Sequence, residues 1–321
     1  VVLCILADFQ SRIWIGTANG LNRYDQVRKQ FTRFYHEPGN PDSLLSNTIR
    51  CLYEDRSNEL WIGTPMGLNR LDRKRKIILP FIPLSDGPDR SGHGLARIRD
   101  MVEDSKGQFW IGTYGGGIGR LDRKSRKTRW LSKQEGNSRS LSQNSVRTIY
   151  EDRESNLWIG TSNGLNRFNL NKNFFTHYIR EHGNPNSLSG NYIRAIYEAD
   201  AHFLWISTVG YGLNRYDRRS DTFRHYRHDP DNRESISSDT VFSITAVKNG
   251  EIWLGTDRGL NRWMPGSNCF RSYLHHAEKP NSISNNSVYT VFRDSQNMLW
   301  VGTAFGLNRF DPVAESFRRF Y

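Results

Sequence analysis

One short phrase, Trp-Ile-Gly-Thr or a close variant, returns seven times along this chain and limits it to a repeat architecture. The tryptophans are Trp14, Trp61, Trp110, Trp158, Trp205, Trp253 and Trp300, separated by 47, 49, 48, 47, 48 and 47 residues. Each lies three residues before a threonine, from Thr17 to Thr303, with Gly between them except at Ser207. Gly-Leu-Asn-Arg follows in six copies, as at 20–23 and 306–309, and becomes Gly-Ile-Gly-Arg at 117–120. A fixed period of this length means one supersecondary unit copied seven times.

The unit itself reads as four short strands. In the fourth copy Ser145–Asp152 is alternating and β-branched, Leu157–Thr161 follows a polar turn, and Ser162-Asn-Gly164 reverses the chain into Leu165–Phe168. Phe174–Tyr178 completes the set, and helical periodicity is absent. Four antiparallel strands per unit predict an all-β, seven-bladed β-propeller. The blades fall at about 1–35, 47–83, 96–132, 144–179, 191–227, 239–274 and 286–321 of a single domain. The three links within a blade are hairpins. The link between blades is a crossing of about a dozen residues, recurring as Asn40–Asn47, Asn137–Asn144, Asn184–Asn191, Asn232–Asp239 and Lys279–Asn286. Its polar residues suit local backbone bonding, and Leu44, Leu141, Leu188, Ile236 and Ile283 pin it to the core. The chain opens inside a first strand and stops at the end of a fourth, so blades 1 and 7 are expected to meet through side-chain packing, and the chain reads as a piece of something longer.

Residues present in every copy are scaffold. The indoles need acceptors, and Asp8, Asp55, Asp104, Asp152 and Asp294 are candidates as indole partners or turn formers. Ala199 and Val247 replace that Asp in blades 5 and 6. The repeated arginines (Arg23 to Arg309) are expected to meet acidic or carbonyl acceptors. Three cysteines give no disulfide framework, and Cys4 and Cys51 read as small buried thiols. The net charge is +12, much of it in Arg70–Lys76 and Arg120–Arg129, which are either a solvated face or a dock for a polyanion. Nucleic-acid motifs are absent. So are nucleophile elbows, zinc-helix motifs and calcium loops. No catalytic residue, metal or cofactor is expected.

These units resemble the two-component regulator propeller repeat, carried by Ile149-Tyr-Glu-Asp152, Leu157-Trp-Ile-Gly-Thr161, Gly164-Leu-Asn-Arg-Phe168 and the crossing Asn184-Pro-Asn-Ser-Leu-Ser. The resemblance implies a periplasmic ligand-sensing domain of a bacterial hybrid histidine kinase or diguanylate cyclase. Attachment to the membrane and the output domain would lie outside these residues, and the full receptor would be a possible homodimer. It further implies, as a class, oligosaccharide ligands.

Function is sought where the copies differ. The second hairpin turns carry Ala18-Asn19, Pro65-Met66, Tyr114-Gly-Gly116, Ser162-Asn163, Val209-Gly-Tyr211, Asp257-Arg258 and Ala304-Phe305. Tyr114, Tyr211, Phe305 and Met66 are larger than turn chemistry requires. They either stack on sugar rings at a channel mouth or cap the rim. Eleven residues before each Trp stand Leu3, Arg50, Arg99, Arg147, Arg194, Phe242 and Tyr289. Four arginines at one repeat position either pair with Glu54, Glu151 or Glu198, or grip a carboxylate or sulfate of a ligand, with Phe242 and Tyr289 as an aromatic wall. Blade 3, through its altered crossing Ile82–Gly94 and Asp100, and blade 6, through Asp257 and Arg258, are the candidates for ligand-specific contacts. The expected activity is non-catalytic binding of a small, anionic oligosaccharide. The alternatives are a protein- or polyanion-docking scaffold, and a propeller glycosidase or lyase using Asp100, Asp257 or Tyr114.

Overall fold

A computed structural model describes residues 1–81, 84, 85, 97–247 and 250–321. The chain is a seven-bladed β-propeller, all-β, without a helix among the described residues. Each blade is an antiparallel sheet whose strands follow chain order. Blade 4 consists of Val146–Glu151, Asn156–Thr161, Leu165–Asn169 and Phe174–Tyr178, as the repeat predicts. Blade 3 departs from four strands. Leu84–Ser85, inside its altered crossing, pairs in parallel with the fourth strand Lys127–Leu131; the rest of that crossing lies outside the described residues. Residue contacts divide the chain into two compact units, Leu6–His177, and Val1–Ile5 with Tyr178–Tyr321.

The repeated phrase is explained within each unit. Every Trp of the set is buried. In blades 1, 2, 3, 4 and 7 its indole N–H donates to the preceding Asp at 2.8, 2.8, 2.8, 2.6 and 2.8 Å. The same aspartates close the first hairpin by accepting backbone N–H groups, as Asp55 does from Ser57 and Glu59. They are therefore both indole partners and turn formers. Where Val247 stands instead, Trp253 Nε1 is buried without a partner among the described residues. The glycine after the Ile makes room for the next first strand. A Cβ on Gly112 would lie 2.5 Å from Val146 Cγ1, and one on Gly255 would lie 2.8 Å from Val288 Cγ1. Val2 holds the same place, 2.5 Å from a Cβ on Gly302, so the seventh sheet meets the first strand of the first through side-chain packing.

The Asn of Gly-Leu-Asn-Arg anchors the incoming crossing. Its Oδ1 accepts the backbone N–H of Leu45, Ser142, Ser189, Ser237 or Ser284 at 2.9–3.1 Å. Blade 3 has Gly119 at that position, and its crossing has lost the Ser-Leu-Ser form; receptor and loop changed together. The repeated arginines depart from expectation. They sit opposite the Trp across the second and third strands, as in Trp158↔Arg167 and Trp205↔Arg215, and several lie over aromatic faces. Arg167 is 5.8 Å from the Trp158 ring and Arg215 is 4.4 Å from Phe203. Only some find an acid, notably Arg262 with Glu251 at 2.5 Å.

Candidate functional site

Five of the seven variable positions eleven residues before each Trp share a backbone device that sequence reading missed. Pairing of the first and second strands shifts between Ile98 and Asp100, Val146 and Thr148, Ile193 and Ala195, Val241 and Ser243, and Val288 and Thr290. Arg99, Arg147, Arg194, Phe242 and Tyr289 are thus the extra residues of five β-bulges. A bulge releases one residue from the ladder and re-aims its side chain. Two successive half-buried residues, as in Ile98-Arg99-Asp100-Met101, mark it. In blade 2 Arg50 precedes the first strand Cys51–Glu54, its backbone N–H donating to Gly63 O.

In the unit Leu6–His177, blades 3 and 4 build a cationic cluster. Tyr114 follows the second strand Phe109–Thr113; its N–H donates to Arg97 O, and it bridges to Ser145. The guanidiniums of Arg147, Arg99 and Arg97 lie 4.7, 5.2 and 5.8 Å from the centre of its ring. Tyr114 stays 37% exposed. Three cations around one partly open ring give a patch of strongly positive potential with an aromatic floor. Arg97, which the repeat comparison did not single out, is held in the left-handed region at φ 61°. The glutamates weighed as internal partners for the bulge arginines make other contacts. Glu54 meets Arg73 and the Phe9 N–H, Glu151 accepts from Ser105, and Glu198 pairs with Arg218 at 2.7 Å.

Two aromatic features form in the other unit. Phe242 and Tyr289, on successive bulges, stack with centroids 5.2 Å apart at 24°. Tyr211 lies against the Gly190 backbone, where a Cβ would meet its ring at 2.6 Å. Arg180 and Arg227 sit 4.8 and 5.3 Å from the Tyr211 ring. Arg194 is half-buried at its bulge, Arg258 is exposed, and Phe305 is 68% exposed.

At the rim the repeat Thr holds the turn in six blades. Its Oγ1 accepts the N–H of Asn19, Met66, Gly116, Asn163, Arg258 or Phe305 at 3.0–3.2 Å.

Several polar residues have internal hydrogen-bond partners. Asp100 accepts from Met101 N–H at 2.9 Å and from Ile149 N–H, in the next blade, at 2.7 Å; Ser243 does the same for Val291. Each Asp100 oxygen thus holds one backbone N–H. Asp257 accepts from Ser238 Oγ at 2.5 Å. Five histidines (His36, His177, His225, His228 and His275) face crossing-loop carbonyls. The basic hairpins are partly internal. Arg73 joins Asp8 to Glu54, and Arg123 joins Asp55 to Glu103 across adjacent blades.

The sequence model of the two component regulator propeller matches residues 43–66, 94–115, 140–163, 187–210 and 282–305. No curated protein matches the chain. Among solved structures it is similar to the extracellular domain of BT4673 from B. thetaiotaomicron, described as a one component system, at 24% identity and a TM-score of 0.58. That match covers 99% of this chain and 43% of the other. It is similar to the extracellular domain of BT3049 from the same organism, described as a hybrid two component system, at 22% identity and a TM-score of 0.58, covering 99% and 46%. Virginiamycin B lyase from Staphylococcus aureus matches at 17% identity and a TM-score of 0.66, covering 93% and 90%. The chain thus spans less than half the length of the two extracellular domains, and at these identities the likeness is one of fold. Five of the seven repeats of this chain thus match the two component regulator propeller model.

Proposed function

We propose that this propeller is a non-catalytic ligand-sensing module of a longer, periplasmic bacterial receptor, and that it binds an anionic oligosaccharide. The carrying observation is Tyr114 with the guanidiniums of Arg97, Arg99 and Arg147 around its ring. A sugar ring stacks on the open tyrosine face while a carboxylate or sulfate takes charge-assisted bonds from the arginines. The extracellular domains of one and two component systems with like fold support a sensor outside the cytoplasm. The lyase of like fold keeps an enzyme in view, and a histidine variant of it is catalytically inactive. Here, however, Asp100 holds backbone N–H groups of two blades, and five of the nine histidines face loop carbonyls. Signalling would follow if the ligand binds one arrangement of the receptor better than another.

The test is calorimetry with uronate-containing, sulfated and neutral oligosaccharides of equal length. An acidic sugar binds and a neutral one does not. Arg147→Ala and Arg99→Ala each weaken binding by roughly 10- to 100-fold, the worth of one charge-assisted contact, and raised salt weakens it too. Equal affinity for neutral sugars, or acidic-sugar binding that survives both substitutions, refutes the reading.

A further inference from the structure

Blade 1 carries a receptor for a crossing loop that no described residue fills. In the blades entered by a recurrent crossing, the loop docks as Ser-(Leu/Ile)-Ser, with Leu45 in place of the second serine at blade 2. The third residue of the motif gives its N–H to the blade's Asn. Where it is serine, its Oγ meets the repeat Thr at 2.8–3.3 Å. In blades 4, 5 and 7 the first serine's carbonyl is taken by a fourth-strand side chain beside that Asn. His177 and His225 approach Ser140 O and Ser187 O at 2.6 and 2.7 Å. Arg319, paired with Asn308, donates to Ser282 O at 2.9 Å and to Ser282 Oγ and Lys279 O at 2.8 Å.

Blade 1 repeats these parts as Thr17, Asn22 and Arg33, with Asn22 paired to Arg33. Their surroundings differ. Thr303 and Asn308 are 0% exposed, whereas Thr17 and Asn22 are half-buried and Arg33 is exposed. Among the described residues neither the Asn22 amide nor the Arg33 guanidinium has a hydrogen-bond partner. An Asn kept where its five counterparts all bind a loop is a docking site for the same chemistry.

We infer that Thr17, Asn22 and Arg33 bind an extended segment bearing Ser-(Leu/Ile)-Ser, joined ahead of Val1. The spacing supports that source. The first serine lies six residues before Val146, Ile193, Val241 and Val288, and Val2 stands at the corresponding place twelve residues before its Trp. A serine five residues ahead of Val1 completes the pattern. This inference is independent of the ligand reading.

The experiment places residues 184–192 directly ahead of Val2 and compares the melting midpoint with a control in which Ser187-Leu-Ser189 of that extension is Gly-Gly-Gly. The Ser-Leu-Ser extension is expected to raise the midpoint by about 5 °C over the control. Asn22→Ala and Arg33→Ala each remove most of that rise. In the unextended chain Asn22→Ala leaves the midpoint close to wild type, while Asn308→Ala lowers it, which separates docking from general stability. Equal midpoints for the two extensions, or a rise that survives Asn22→Ala, overturns the inference.

Discussion

Replacing Arg123 by methionine tests whether the basic hairpin of blade 3 is surface charge or an internal clamp. Arg123 Nη1 lies 2.5 Å from Asp55 Oδ2, and Nη2 lies 2.5 Å from Glu103 Oε1. The two carboxylate side chains are 2% and 3% exposed, the arginine 23%. Methionine keeps most of the stem and removes the charge, leaving two buried carboxylates without their cation. Breaking a buried pair from one side costs about 3–5 kcal/mol. Here the lower end applies. Asp55 keeps Trp61, Ser57 and Glu59 as donors, Glu103 keeps the Arg56 N–H, and the guanidinium is partly screened by water. The expected loss is about 3 kcal/mol. With a urea slope of about 3 kcal/mol/M for a chain of this size, the midpoint falls by about 1 M. Lys124→Met, on the same hairpin but exposed, shifts stability by no more than about 0.5 kcal/mol. Equal effects of Arg123→Met and Lys124→Met would refute the clamp and return the hairpin to the solvated surface.

Other perturbations follow from the same contacts. Val247→Asp gives the buried Trp253 N–H the acceptor that five other blades possess. It should raise stability by about 1 kcal/mol in urea titration, and a loss would show that blade 6 has repacked around valine. Burial first, and then its bond to Asp221, push the Tyr216 hydroxyl well above the usual phenol range, and burial likewise raises Tyr226 and Tyr273. The folded chain keeps these protons past pH ~10, where the unfolded chain loses them, so stability is intact below that pH and declines above it. Tyr216→Phe should flatten the decline in pH-dependent denaturation, and an unchanged slope would count against the assignment.

The fold was legible because its information is local and repeated. Trp158 and Asp152 lie six residues apart, and Asn166 reaches a loop only 24 residues before it. A unit of about 48 residues contains both partners. Most cations of the basic hairpins are exposed, but the internal role of Arg73 was not legible, because the Asp8 it holds lies 65 residues away in another copy, where a charge run shows nothing of its partner. The bulges were visible only as a lapse in alternation at Arg99 or Arg147. Arg97 was hidden by its place beside the irregular crossing of blade 3, where the repeat gives no register for comparison.

The threonine at each rim has a consequence for how such a chain can diversify. It grasps the backbone of the turn residue and is indifferent to the side chain, so Asn19, Met66, Asn163, Arg258 and Phe305 occupy equivalent sockets on equal terms. What folds the turn and what faces solvent are separate atoms under separate constraint. Exchange at these sockets is nearly invisible to stability while it redraws the chemistry presented. The ring of turns therefore works like a row of interchangeable type: the frame is fixed, and the message can be reset one letter at a time.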